Sequence, residues 1–142
     1  MKTVTRIDLT DARVLIAGAT RYAEEIGVPM CIAITDESGQ LIAFERMEGG
    51  KVTSTTIAID KSFTASAAKK ATHEYGAASQ PGAPAYGIFS AIEGRLMVVG
   101  GGLPVLWQGE VVGGIGVSSG TPAQDQAVAQ AGIDAWIKSQ PS

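Results

Sequence analysis

The chain has 142 residues and a net charge of −3, from 11 basic and 14 acidic side chains, with one histidine and one cysteine. This length suits one domain spanning 1–142 with its own hydrophobic core, and a lone Cys31 excludes an internal disulfide and a cysteine-paired metal knuckle. The densest basic cluster, Lys69-Lys70, is too small for a nucleic-acid footprint. No apolar run approaches the ~18 residues of a membrane span, and no leader pattern precedes the first helix, so a cytoplasmic protein without membrane contact is expected.

Residues Asp8 to Ile26 carry apolar or small side chains at Leu9, Ala12, Ile16, Ala19, Ala23 and Ile26, which is helical spacing. Asp8 is placed to cap this helix with Asp11 three residues on, and Gly27 followed by Pro29 ends it. Met30–Thr35 and Gln40–Arg46 read as two strands joined through Asp36-Glu37-Ser38-Gly39, a hairpin with glycine in the turn. Gly49-Gly50 closes that unit.

A second, alanine-rich helix is expected from Ser54 to about Lys70, with Ile57, Phe63 and Ala67 among its apolar residues. His73 to Pro84 reads as loop or short helical turns, broken by Gly76, Pro81, Gly82 and Pro84. Tyr86–Ile92 reads as a further short helix. Three strands follow near Arg95–Val99, Leu103–Trp107 and Val111–Val117, with turns at Gly100–Gly102 and Gln108–Gly109. The last helix starts at Pro122 behind Thr121, with Gln124 completing a capping box, and runs to about Lys138. Hairpin connections imply an α+β class: an antiparallel sheet of about five strands with helices packed on its faces.

Charged residues make up 18% of the chain, below the usual quarter or so. A sparsely charged surface points to cover by another subunit, hence a homo-oligomer. Glycine, at 18 residues, is nearly twice its usual share, and many lie between 94 and 120 where tight hairpins need them. Neither Gly100-Gly101-Gly102 nor Gly113-Gly114 forms a dinucleotide fingerprint or a phosphate-binding loop. Backbone amides near Gly101, Gly102 and the start of the last helix could form a wall for carboxylates. Hairpin turns account for the same glycines.

The run GGGLPV…GEVVGGIGVSSG…QD, preceded by AIDKSFTA at 58–65 and QPGAPAYGI at 80–88, resembles the GlcG/HbpS family. This haem-binding-protein-like domain also occurs at the C-terminus of PduO-type corrinoid adenosyltransferases. The resemblance runs from about Leu9 to Ile137. It implies a profilin-like or roadblock-like fold and, among the family's varied members, haem as the ligand to expect. Lys61-Ser62-Phe63-Thr64-Ala65 is similar to the family's K-x-x-T-A helix, so its face, with Thr64, is expected beside the ligand.

His73 is the best single candidate for an iron ligand, as haem takes His, Met, Cys or Tyr axially. A histidine at a helix C-terminus complementing the dipole explains it equally well. Lys61 or Arg46 could bind a ligand carboxylate, and Asp60 or His73 could move protons. A solvent lysine, an Asp60–Thr64 contact and a strand-end arginine explain the same residues structurally. Asp36 suits its turn, and Asp125 suits the first turn of the last helix. Trp107 is placed to stack on a partner chain, and Trp136 to anchor the last helix. Three functions follow: a small-molecule binding protein for haem or another carboxylate-bearing tetrapyrrole, a cofactor-independent enzyme acting on a small organic acid, or a structural assembly subunit whose low charge and glycine-rich edges serve oligomer contacts.

Overall fold

Side-chain caps set the starts of the two long helices in the structure, a computed structural model that describes residues 1–141. Helix α1 (Leu9–Ile26) begins where Asp8 Oδ1 accepts from the Asp11 amide and Asp11 Oδ2 accepts from the Asp8 amide, both at 3.0 Å. It ends at Gly27, whose φ of 69° is left-handed, a conformation glycine adopts without steric cost. Strands β1 (Cys31–Asp36) and β2 (Leu41–Arg46) form the expected hairpin. Asp36 holds its turn by accepting from the Ser38 amide, the Ser38 hydroxyl and the Gln40 amide. Burial alone would raise the Asp36 carboxyl. The Ser38 hydroxyl, those two amides and Arg6 outweigh it and hold the pKa below its ordinary value.

Helix α2 (Ser54–Ala67) stops before the expected Lys70, because Lys69 turns left-handed at φ 56°. Helix α3 (Thr72–Ala78) follows at once, and the segment after it contains a 3-10 turn at Ile88–Ser90 and the irregular α4 (Ala91–Gly94). The hairpin β3 (Gly102–Trp107) and β4 (Glu110–Ser118) leads into α5 (Pro122–Ser139), which starts with the predicted capping box.

The sheet has four antiparallel strands in the order β2-β1-β4-β3. The fifth strand expected at Arg95–Val99 does not form. Its backbone is satisfied by α2 instead: the Met97 amide donates to Thr64 Oγ1 at 3.0 Å, and Thr64 Oγ1 donates to the Arg95 carbonyl at 3.1 Å. The Val98 carbonyl lies against Gly76 of α3, where a Cβ would collide with it. A β-capable sequence was thus captured by a helix side chain.

Helices α1 and α5 cover one face of the sheet. Their Leu15, Ile16, Val128 and Ile133 meet Ile32, Ile34, Ile115 and Val117 in the main core. Trp136 anchors α5 as expected, its indole donating to Asp11 Oδ1 at 2.9 Å. Trp107 packs edge-on against Trp136 with ring centroids 5.9 Å apart, so its partner lies within the chain.

Helix α2 covers the other face in a different manner. Its buried residues are Ser54, Ala58, Lys61, Ser62, Thr64, Ala65 and Ser66, while Ile57 and Phe63 are only half-buried. Gly114 and Gly116 of β4 lie beneath it, so backbone approaches backbone. The buried hydroxyls are satisfied: Thr35 Oγ1 lies 2.8 Å from Ser62 Oγ and 2.9 Å from Ser66 Oγ, and Ser62 Oγ donates to the Gly114 carbonyl. Small hydrogen-bonded residues let the helix seat closely without unpaired polar groups.

Candidate functional site

Lys61 is among the largest fully buried side chains, at 2% exposure. Its Nζ donates to Asp125 Oδ2 at 3.0 Å and to the Val117 carbonyl at 2.9 Å, and Asp125 Oδ1 accepts from the Gly120 amide at 2.9 Å. Burial pushes the Lys61 pKa below its ordinary value, and the adjacent Asp125 opposes that shift. Lys61 therefore presents no charge to solvent, in contrast to the carboxylate-binding role expected of it. It ties α2 to the end of β4 and to the first turn of α5. Asp125, expected to serve only its own helix end, is the other half of this pair.

Asp60 does not meet His73. Its carboxylate accepts from Arg95 Nε at 2.9 Å, and the Arg95 guanidinium lies 3.9 Å from the Phe63 ring centre, a favourable cation–π placement. The expected Asp60–Thr64 contact exists, but it is to the backbone: the single Thr64 hydroxyl proton is shared between the Asp60 carbonyl at 2.8 Å and the Arg95 carbonyl at 3.1 Å. Thr64 is fully buried, and its hydroxyl is occupied in pinning residues 95–97. The proton-transfer group expected of Asp60 is thus engaged in an ion pair.

The expected amide wall is likewise taken up by the chain itself at Gly102 and at the start of α5. The Gly102 amide donates to Thr72 Oγ1 at 2.9 Å, and the Gly101 carbonyl accepts from the Val117 amide. At the start of α5 the Thr121 amide donates to Gln124 Oε1 and the Gly120 amide to Asp125. Gly101 and Gly102 are buried packing positions: a Cβ on Gly101 would lie 2.8 Å from Lys61 Nζ, and one on Gly102 2.5 Å from the Lys61 carbonyl.

His73 is exposed in the first turn of α3, so the explanation by a helix C-terminus does not hold. It borders an open groove of about 470 Å³ along the outer edge of β3, within the ~300–1,000 Å³ of small-molecule sites. Leu103, Pro104 and Leu106 of β3, Ile133 and Ile137 of α5, and Lys69, Lys70 and His73 line it, together with the polar side chains of Glu74, Gln126 and Gln130. The wall residues went unnoticed in the sequence because they come from three elements. The local signal was Lys69-Lys70 only three residues ahead of the sole histidine. Arg46 ends β2 at the opposite edge of the sheet, so one protomer does not bring it to this groove. Among the described residues no cluster of three His, Cys, Asp or Glu forms, and no helix is long and apolar enough to cross a membrane.

This arrangement can be compared with known proteins. Residues 7–134 match the family described as haem degrading protein HbpS-like. The chain belongs to the HbpS-like family. It is 36% identical over 133 residues to an uncharacterized 15.0 kDa protein encoded between dhaT and dhaS in Citrobacter freundii, covering 94% of each. The crystal structure of Klebsiella pneumoniae protein ORFY superposes with a TM-score of 0.96 at 34% identity, over 99% of this chain and 97% of that one. The PduOC:heme complex superposes with a TM-score of 0.88 at 34% identity, over 92% and 95% of the two chains. The HbpS-like family thus accounts for both the sequence motifs and the four-stranded fold.

Proposed function

We propose that this chain binds haem, or another carboxylate-bearing tetrapyrrole, in the groove along β3. The observation that carries this reading is the chain's only histidine lining a partly apolar groove, beside two lysines. The residues fit such a group: His73 supplies an imidazole for iron, Leu103, Pro104, Leu106, Ile133 and Ile137 suit the macrocycle, and Lys69 and Lys70 suit propionates. Bound haem would supply a redox-active iron, while the chain orients the ring and neutralises its acids. The haem complex of the structural relative PduOC and the description of the family support the choice of ligand. The alternative acid-transforming enzyme has less support, because Asp60, Lys61, Arg46 and His73 do not converge within a protomer.

Titration of the purified protein with haem, followed by absorbance, tests the reading. The wild type is expected to give a saturable, stoichiometric Soret change. His73→Ala is expected to alter that spectrum and weaken binding by roughly tenfold or more, equivalent to ~1.4 kcal/mol or above. Unchanged spectrum and affinity in His73→Ala would remove the histidine from the site. No saturable change in the wild type would remove haem.

A further inference from the structure

Helices α1 and α2 end in the same way but on different residues. The Val28 amide donates back to the Ala23 carbonyl at 3.1 Å, and the Lys70 amide donates back to the Ala65 carbonyl at 3.2 Å. Each closure uses a left-handed residue just before the donor. In α1 that residue is Gly27 at φ 69°, and in α2 it is Lys69 at φ 56°. A side chain makes this conformation costly, and glycine removes the cost. Attraction to the helix C-terminus does not by itself account for a lysine here, since α1 closes with no basic residue in its last turn. Lys69 is exposed, so burial of its side chain does not account for it either. Strain kept at an exposed residue beside a groove points to use of the side chain.

We propose that Lys69 is the carboxylate-binding residue of the groove along β3, and that it occupies a glycine position for the sake of its ammonium. This rests on the groove as the ligand site and distinguishes its two lysines. Lys70 is half-buried, and its Nζ lies 5.3 Å from the centre of the Tyr75 ring, a cation–π placement on a residue outside the groove lining. Glu74 lines the groove as well, and its charge offsets that of Lys70. Lys69 supplies the positive charge that remains, with no carboxylate within 4.0 Å of its ammonium among the described residues. It also borders a neighbouring hollow with Lys2, Glu37 and Glu110, where Glu37 is already taken by Arg6. A ligand acid in the groove therefore meets Lys69 as its unengaged cation.

Fluorescence titrations with iron-free protoporphyrin and with its dimethyl ester, which has no free acid, test this alongside thermal melts of the ligand-free protein. The wild type is expected to bind the acid about tenfold more tightly than the ester. Lys69→Gly is expected to lose most of that preference and yet to melt about 2–4 °C higher, because the left-handed backbone is relieved. Lys69→Gln, which keeps a side chain on that backbone, is expected to lose the preference without the gain in melting temperature. Lys70→Gln is expected to reduce the preference by less than Lys69→Gln does. Equal binding of acid and ester by the wild type, a preference kept in Lys69→Gln, a larger loss in Lys70→Gln, or a Lys69→Gly protein that melts no higher would each overturn the proposal and leave the groove as the porphyrin site. A wild type that binds neither compound would overturn the groove reading, and this proposal with it.

Discussion

Lys61→Met is expected to destabilise the protein by about 3–5 kcal/mol, the cost of leaving one partner of a buried ion pair uncompensated. For a chain of this size that lowers the melting temperature by roughly 10–20 °C. The reason lies in the partners: Asp125 is 2% exposed, and without the ammonium its Oδ2 is left with no hydrogen bond to replace the one at 3.0 Å. The Val117 carbonyl loses its donor at the same time. The double variant Lys61→Met/Asp125→Asn removes both charges while leaving an oxygen for the Gly120 amide. Its loss of stability is expected to fall short of the sum of the two single losses by about 1–3 kcal/mol. Denaturant unfolding of the wild type and the three variants measures this directly. Additive losses would mean that the pair is not a unit.

Gly116→Ala is expected to be the most damaging change of one methyl group. The added Cβ would land on the Ala58 carbonyl and the Ser62 amide, both backbone atoms of α2. Neither can swing aside as a flexible side chain would, so the helix itself has to lift from β4. Overpacking of a core costs about 1–3 kcal/mol, occasionally more, and a collision with helix backbone belongs at or above the upper end. Gly109→Ala supplies the contrast. Its φ of 81° strains an alanine, but no atom lies within 4 Å of the added methyl, so about 1–2 kcal/mol is expected. Thermal melts of the two variants should differ clearly, with Gly116→Ala the lower. Equal melts would show that α2 does not rest on the glycine strip.

The comparison of sequence with structure turns on whether a signal is local. Asp8 and Asp11, Thr121 and Gln124, and the Asp36 turn each complete their hydrogen bonds within a few residues, so those helix starts and the hairpin were readable in the chain. The segment Arg95–Val99 was not, because its partner Thr64 lies some thirty positions away and offers a hydroxyl instead of a strand. Lys61 and Asp125 were both noticed, yet with 64 positions between them each had an adequate local explanation. A pattern that could have revealed the packing was present: Ser54, Ala58, Lys61, Ser62, Ala65 and Ser66 recur at three- and four-residue intervals, opposite glycines two apart in β4. Small residues on both sides of an interface signal close backbone approach, and a lysine on that stripe must then be buried and paired. His73 was singled out as the sole histidine, but the apolar residues that line the groove beside it come from β3 and α5 and could not be assembled from one sequence window.

The central claim concerns where the ligand sits, and amide NMR of the isotope-labelled chain during titration with iron-free protoporphyrin locates it most directly. The groove along β3 predicts saturable shifts concentrated at His73, at Leu103 and Leu106, and at Ile133 and Ile137, with little change near Arg46 at the far edge of the sheet. Shifts concentrated around Arg46, or on the outer surface of α1, would contradict it.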